Sequence, residues 1–316
     1  MTTPAEQFQH ALHEHLGNVV FGMDTVIHGL CLGLIAGGHV LLQGVPGIGK
    51  TLLAKTLAAR LGGVFKRVQG TADLMPSDIT GVHVYNAEER RFQFMPGPLF
   101  AEVLLVDEIN RTGPKTQSAL LQAMEEGCVT VDRKTYPLPE GFLVIATQNP
   151  HDFEGTFPLP ESQLDRFLLR LDVAYPDPAM EQRVLQAYGV PQGGHAQSGA
   201  APPLPKSALA EVRAQVAAVH VSDAVYRYVI DVAAASRGHH HVSLGLSTRG
   251  ALGLMRCARV EAALRGAEFV TPDDVKLVAR PVMAHRLVLT PDAQLEAVQA
   301  QQVVDEVLGS VKVPRE

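Results

Sequence analysis

The segment from Gly44 to Thr51, which reads Gly-Val-Pro-Gly-Ile-Gly-Lys-Thr, constrains the fold of this 316-residue chain more than any other feature. It follows the apolar run Val40–Leu42 and leads into Lys50–Leu61, where apolar residues recur with helical spacing. A short apolar run that ends in a glycine-rich turn and continues as a helix is typical of a buried parallel strand. The sequence therefore predicts an α/β core built on a parallel sheet.

The same segment matches the phosphate-binding pattern G-x-x-x-x-G-K-[ST] in full. Glycines allow successive backbone N–H groups to converge on phosphates, and the following helix directs its positive N-terminal end at the same charge. Lys50 is expected to reach the β- and γ-phosphates, and Thr51 to ligate Mg²⁺. The sequence thus predicts binding of ATP with Mg²⁺, through Gly44, Pro46, Gly47, Ile48, Gly49, Lys50, Thr51 and Leu52.

Apolar runs continue to alternate with helical stretches after this segment, as in a sheet covered on both faces. Further strands are predicted at Val64–Val68, Val103–Val106, Phe142–Ala146 and Leu168–Val173. After Tyr175 no strand pattern remains, and the chain from Lys206 is predicted to be helical, with a mobile Gly/Pro-rich loop at Pro191–Pro205 before it. The predicted domains are a nucleotide-binding core, 1–175, with hairpin insertions near 81–95 and 129–137, and a helical lid, 176–316.

An acidic pair ends one of these strands, where Glu102–Val106 is followed by Asp107 and Glu108. Charges at the end of a buried strand are costly unless they are used. Asp107 is predicted to hold Mg²⁺ through water, and Glu108 to polarise the water that attacks the γ-phosphate. Asn149, at the polar end of the next core strand, is predicted to contact both the γ-phosphate and that water.

Two arginines are candidates for stabilising charge in the transition state. Arg166 follows a short predicted helix and is either supplied to the γ-phosphate of a neighbouring subunit or part of a surface salt bridge. The sequence leaves these two alternatives open, and Arg170 is the next candidate for the same role. Arg249 lies in the first turn of a helix that Ser247 caps, and is expected to contact phosphate from the lid.

This order of motifs resembles the AAA+ ATPases and, within them, the MoxR group. The segments that carry the resemblance are Gly44–Thr51, Gln69–Gly81, Pro96–Phe100, Asp107–Arg111, Gln117–Leu121, Ala146–Pro150 and Gln163–Phe167. The resemblance implies that Asn149 is the sensor-1 residue, Arg166 the arginine finger and Arg249 the sensor-2 residue. It also implies that Val19 and Val20 run past the adenine.

The same resemblance implies an AAA+ αβα core with a five-stranded parallel sheet, followed by an all-helical lid. It further implies ATP hydrolysis in a homo-oligomeric ring, usually a hexamer, and chaperone-like remodelling or maturation of a client protein. A protein with a von Willebrand factor A domain is the implied partner. In related branches of the AAA+ ATPases, the sensor-2 arginine acts on the nucleotide of the neighbouring subunit. The resemblance therefore leaves open whether Arg249 acts on the nucleotide of its own subunit or on that of the neighbour. Thr248 departs from the family, which usually has proline there.

The alternative is an AAA+ nucleic-acid motor or helicase loader. The net charge of −6 gives no general attraction to nucleic acid, and in the first hairpin Glu88 and Glu89 offset Arg90 and Arg91. Nucleic acid is therefore not an expected partner. The three cysteines are widely spaced, the N-terminus has no apolar signal core, and no apolar stretch is long enough to span a bilayer. We expect a cytoplasmic protein without membrane insertion.

Overall fold

A computed structural model describes residues 2–149, 155–189 and 202–314. Its strands are β1 (Val40–Gly44), β2 (Phe65–Gln69), β3 (Gly81–Asn86), β4 (Arg91–Pro96), β5 (Val103–Asp107), β6 (Cys128–Val131), β7 (Lys134–Pro137), β8 (Leu143–Gln148), β9 (Leu169–Val173), β10 (Val242–Leu244) and β11 (Val288–Leu289). Five of them form one parallel sheet in the order β2–β5–β8–β1–β9. The predicted five-stranded parallel sheet is confirmed.

The helices begin with α1 (Pro4–Gly17), which a capping box at Thr3 starts, and α2 (Asp24–Ile35). Those of the remaining core are α3 (Lys50–Leu61), α4 (Pro76–Thr80), α5 (Pro114–Glu126) and α6 (Glu161–Leu164). Those that follow the sheet are α7 (Pro178–Tyr188), α8 (Ala208–Ala218), α9 (Asp223–Gly238), α10 (Thr248–Leu264), α11 (Pro272–Met283), α12 (Pro291–Leu295) and α13 (Ala300–Ser310). The predicted helical lid is confirmed.

Two antiparallel ribbons stand apart from the sheet. In one, β3 pairs with β4, and in the other β6 pairs with β7. The ribbons contact each other through Phe94, which stacks on Tyr136 with ring centroids 4.1 Å apart, and through His83, which lies 2.8 Å from an Asp132 carboxylate oxygen. The two ribbons therefore form one structural unit beside the core.

The lid contains a feature that the sequence did not predict. β10 and β11 pair as a short antiparallel ribbon inside a region expected to be wholly helical. Strands of three and two residues are too short for an alternating apolar pattern, so periodicity alone could not reveal them. They join the segment before α10 to the segment after α11.

One continuous hydrophobic cluster runs from α1 and α2 through one face of the sheet into the lid helices. Leu12 of α1, Leu30 of α2 and Leu254 of α10 are all buried in it. The domain boundary near Tyr175 therefore stays a prediction. Most of the loop predicted at Pro191–Pro205 lies outside the described residues.

Cys31 and Cys257 are buried in this cluster and unpaired, and burial raises the pKa of each thiol to about 12. Neither is therefore a nucleophile at neutral pH. Within residues 2–149, 155–189 and 202–314, no helix is both long and apolar enough to cross a membrane.

Candidate nucleotide site and arginine cavity

The glycine-rich segment leaves the carboxyl end of β1 and enters α3 at Lys50. Gly47 and Gly49 have φ angles of +82° and +89°, a backbone region in which a Cβ is strained, so these two positions require glycine. Lys50 Nζ donates to the carbonyl oxygen of Gly44 at 2.8 Å. Burial lowers the pKa of Lys50, while Asp107 and Glu108 oppose that shift.

A cavity of about 340 Å³ lies in front of this loop, and we call it the phosphate cavity. Its lining brings together residues that are far apart in the sequence but predicted to act together: Gly47, Gly49, Lys50, Thr51, Asp107, Glu108 and Asn149. They meet because β1, β5 and β8 are adjacent parallel strands whose carboxyl ends share one edge of the sheet.

Asp107 is nearly buried and is the most heavily bonded acid of the cavity. Its two carboxylate oxygens accept bonds from Thr147 Oγ1 at 3.2 Å and from Arg67 Nε at 2.7 Å, and Thr51 Oγ1 lies 3.4 Å away. Buried carboxylates are retained when such partners offset the loss of water. The partners fix the carboxylate beside the hydroxyl of Thr51.

Glu108 is held in a strained backbone conformation, with φ +54° and ψ +53°. Its backbone N–H donates to Thr147 Oγ1 at 2.9 Å. Its carboxylate accepts from Gln69 Nε2 at 3.0 Å and forms an ion pair with Arg111, whose Nε lies 3.2 Å away. The left-handed turn directs the carboxylate into the phosphate cavity instead of along the strand.

The oxygens of Thr51 and Asp107 fit Mg²⁺, which prefers hard oxygen ligands and is commonly held by one or two protein groups together with substrate phosphates. Among the described residues, no group of three or more histidine, cysteine, aspartate and glutamate side chains is placed to hold a metal ion by itself. A metal held by Thr51 and Asp107 would take its remaining ligands from nucleotide phosphates and water.

A second cavity, of about 450 Å³, adjoins the phosphate cavity and shares Pro46, Gly47, Gly49 and Leu52 with it. Its other walls include the predicted adenine-contacting residues Val19 and Val20, together with Ile48. Tyr188 of α7 closes one side, since its hydroxyl donates to the carbonyl oxygen of Val19 at 2.7 Å. An apolar cavity continuous with a phosphate-binding loop can hold a base and a triphosphate together.

Arg166 and Arg249 line neither of these cavities. They line a third cavity, of about 230 Å³, which we call the arginine cavity. Gly37, Gly38 and His39, which precede β1, also line it, so it lies at the amino edge of the sheet. The structure brings the two arginines together but separates them from the phosphate loop. Arg170, the other candidate, lines neither the phosphate cavity nor the arginine cavity.

The loop that carries Arg166 is anchored by lid residues that the sequence did not single out. The guanidinium of Arg286 donates to an Asp165 carboxylate oxygen at 2.7 Å, to the Phe167 carbonyl at 2.6 Å and to the Leu168 carbonyl at 3.0 Å. Burial lowers the pKa of Arg286, and Asp165 opposes the shift. No motif marks Arg286, because its partners lie about 120 positions earlier in the chain.

Gln69, Arg67 and Thr147 of the phosphate cavity were also missed as site residues. Gln69 could have been found, because it directly follows a predicted strand and its register partner in β5 is Asp107. Residues that follow adjacent parallel strands meet at one edge. Thr147 lies between a predicted strand and Asn149, so the same rule applies to it.

Comparisons with known proteins agree with this architecture. Residues 39–169 match the ATPase family associated with various cellular activities (AAA), and residues 234–307 match the AAA lid domain. A crystal structure from Cytophaga hutchinsonii, described as that of an ATPase candidate, is 34% identical, with a TM-score of 0.90 and coverage of 99% of this chain and 97% of that one.

Three relatives span nearly the whole chain. The uncharacterized protein YeaC of Bacillus subtilis is 44% identical over 95% of this chain and 93% of its own. Chaperone MoxR1 of Mycobacterium tuberculosis is 40% identical over 94% of this chain and 80% of its own. Protein MoxR of Paracoccus denitrificans is 35% identical over 95% of this chain and 94% of its own. With this identity over nearly its full length and with both AAA regions present, the chain belongs to the MoxR family of AAA+ ATPases.

Proposed function

We propose that this chain hydrolyses Mg-ATP at the contacts between subunits of a homo-oligomeric ring, and uses the hydrolysis to remodel a client protein. One observation carries the proposal. The phosphate loop leaves the carboxyl end of β1, whereas Arg166 and Arg249 line a cavity at its amino end. Five residues of strand span about 16 Å at roughly 3.3 Å each, so these arginines do not reach the subunit's own phosphate cavity.

A neighbouring subunit supplies the missing charge in this proposal. Arg166, as the finger, and Arg249, as sensor 2, would approach the γ-phosphate of an ATP bound to the next copy of the chain. Arginine supplied in this way stabilises charge in the transition state of phosphoryl transfer. The isolated subunit is then a poor enzyme, because its two half-sites belong to different active sites.

The phosphate cavity supplies the other groups. Lys50 would bind the β- and γ-phosphates, Glu108 would accept a proton from the attacking water, and Asn149 would orient that water. Mg²⁺, held by Thr51 and Asp107, would neutralise charge on the phosphates. Gln69 would fix the Glu108 carboxylate, to which it already donates.

The ribbon of β3 and β4 is the proposed client contact. It exposes large apolar side chains that monomeric proteins usually bury, namely Val82, Val84, Tyr85, Phe92 and Met95. At its tip Glu88 and Glu89 stand beside Arg90 and Arg91, and Arg91 pairs with Glu89 at 2.5 Å, so the tip carries no net positive charge to attract nucleic acid. A nucleic-acid motor is therefore not favoured. The proposal that the ring has a partner with a von Willebrand factor A domain is based on the family resemblance.

Mixing two inactive variants tests where Arg166 acts. Lys50→Ala removes phosphate binding but keeps the arginines, and Arg166→Ala keeps the phosphate cavity but removes the finger. If Arg166 acts on the neighbouring subunit, mixed rings regain ATP hydrolysis, because some contacts join an intact phosphate cavity to an intact finger. A mixture as inactive as either variant alone, in rings that contain both chains, would contradict the proposal.

Capture of partners tests the remodelling function. Glu108→Gln is expected to bind ATP without hydrolysing it and so to hold a client and a von Willebrand factor A domain protein on the ring. Their release after ATP is replaced by ADP is the expected result. Recovery of the same proteins with Lys50→Ala, which cannot bind ATP, would mean that the binding is unrelated to nucleotide.

A further inference from the structure

Glu125, in the last turn of α5, contacts both arginines of the proposed neighbour-facing site. One carboxylate oxygen lies 2.9 Å from Arg166 Nη1, and the other accepts a short hydrogen bond from Arg249 Nη2. The same Nη1 of Arg166 donates to the Leu121 carbonyl of α5 at 2.9 Å. A single carboxylate therefore occupies both guanidiniums at once.

The position of Glu125 is unfavourable for the helix by itself. The C-terminal end of a helix carries partial negative charge, which favours basic and not acidic side chains. The last turn of α5 has no basic residue and carries Glu125 and Glu126 side by side. The contacts with Arg166 and Arg249 offset this cost, and they also offset the repulsion between two neighbouring cations.

The arginine cavity retains positive charge after these contacts are counted. Arg166, Arg249, Arg256 and Arg286 line it, and the acids in its lining are Glu125 and Asp165. Asp165 pairs with Arg286 at 2.7 Å. Arg256 donates to the carbonyl oxygens of Ala36 and Gly37, which are neutral acceptors. An incoming anion is thus attracted, and Glu125 is the resident anion that it meets.

We propose that Glu125 is an exchangeable counter-ion for the two arginines, an inference that rests on the proposed function. In the separate subunit Glu125 holds Arg166 and Arg249. In the ring, the γ-phosphate of the ATP on the neighbouring subunit replaces it, because a phosphate offers more charge and more acceptor oxygens than a carboxylate. Glu125 then competes with the γ-phosphate for the two arginines when ATP-bound subunits assemble, and takes the arginines back after the phosphate leaves.

The glutamine variant separates this role from a merely structural one. Glu125→Gln keeps the shape of the side chain but removes its charge, so no ion pair has to break before the phosphate binds. The matched control is Glu126→Gln, the adjacent exposed acid of the same helix, whose carboxylate contacts Gln122 and Cys128. Both changes are made in a chain that also carries Glu108→Gln, and assembly is measured by sedimentation at increasing protein concentration.

With ATP, Glu125→Gln is expected to assemble at a protein concentration about threefold to tenfold lower than the control, the effect of losing two exposed ion pairs. With ADP, which lacks the γ-phosphate, the two variants are expected to behave alike. An equal midpoint in ATP, or a shift of the same size in ADP, would overturn the role of Glu125 alone. Absence of ATP-dependent assembly in every chain, wild type included, would overturn the proposed function and this inference with it.

In an otherwise wild-type chain, Glu125→Gln is expected to reach the wild-type kcat once protein concentration is saturating, and to reach it at lower protein concentration. A lower kcat at saturation would instead mean that Glu125 orients the arginines in the assembled ring. That result would contradict the proposal that the γ-phosphate replaces Glu125 at the two arginines.

Discussion

The two edges of the parallel sheet differ in how their polar groups are brought together. At the carboxyl edge, the phosphate cavity is built from residues at the carboxyl ends of β2, β5 and β8, from the loop after β1 and from the first turn of α3. At the amino edge, the arginine cavity is built from side chains of α5, the loop before β9, α10 and the segment after α11. The first set is fixed by strand register, and the second by the packing of the lid against the core.

This difference predicts how each cavity responds to the substitution of one side chain. Groups on adjacent strand ends are held by the backbone ladder, so exchanging one side chain there alters chemistry more than shape. Groups in the arginine cavity depend on one another, since Asp165 bonds both Arg286 and Ser247 while Glu125 bonds Arg166 and Arg249. A change there alters the position of its neighbours as well.

The largest effect is expected for Arg166→Ala at the amino edge. If Arg166 completes the neighbour's site, ATP turnover by the ring falls about 10³- to 10⁵-fold while binding of ATP to the separate subunit is retained. Steady-state hydrolysis and nucleotide binding check this result. Arg227→Ala, at an exposed position of α9, is the control. Turnover as fast as in the control would assign Arg166 to a structural salt bridge.

The second-largest loss of ATP turnover is expected for Glu108→Gln at the carboxyl edge. Loss of a general base typically lowers turnover about 10²- to 10⁴-fold, and ATP binding persists because Lys50 and the loop are intact. Single-turnover hydrolysis compared with Glu211→Gln, an exposed residue of α8, checks it. Wild-type turnover in the Glu108 variant would contradict the role of this carboxylate as the general base.

Arg286→Met tests how the amino edge is held together. Methionine keeps much of the side-chain volume but removes the guanidinium that donates to the partly buried Asp165 carboxylate and to several backbone carbonyls. Because only the arginine of this pair is buried, we expect a loss of at most about 3–5 kcal/mol of unfolding free energy, measured by chemical denaturation. The control Arg280→Met removes an exposed pair with Asp305 and should lower stability much less. Equal costs would mean that the Arg286 network adds nothing to stability.

The smallest effect is expected from the pair of His28 and Glu261, which joins α2 to α10 outside both cavities at 2.9 Å. The hydrogen bond that His28 Nε2 donates to the Glu261 carboxylate raises the pKa of His28 above its usual 6.5, and burial opposes the rise. Because the folded-state pKa is the higher one, this contribution is fully present below about pH 6.5 and is lost as pH rises through the folded value.

We therefore expect the stability difference between wild type and His28→Gln to shrink by less than about 1 kcal/mol from about pH 6 to about pH 8. His10→Gln, at an exposed position of α1, controls for the general effect of pH. A difference that grows with pH would contradict the raised pKa. If neither change alters ATP turnover, the contact of α10 with α2 through His28 and Glu261 is independent of the arginine cavity.

Much of the fold could be predicted because its signals are local. The phosphate loop, the five sheet strands and α3 each have an apolar period or a glycine pattern within a few residues, and α3 spans the predicted range Lys50–Leu61. The ribbon of β10 and β11 could not be predicted, since its pairing joins residues more than 40 positions apart through strands of two and three residues. Nothing local distinguishes such strands from loop.

The sequence alone predicted the phosphate loop, the acids Asp107 and Glu108, and the family to which they point. Each of these signals lies within a few neighbouring residues, and parallel strands all end at the same edge of a sheet. Only the tertiary structure decided that Arg166 and Arg249 share a cavity at the opposite edge, that Arg286 anchors their loop, and that Glu125 bonds both. Those contacts join side chains of separate helices. Whether they form depends on the angles at which the helices pack, which no local pattern records.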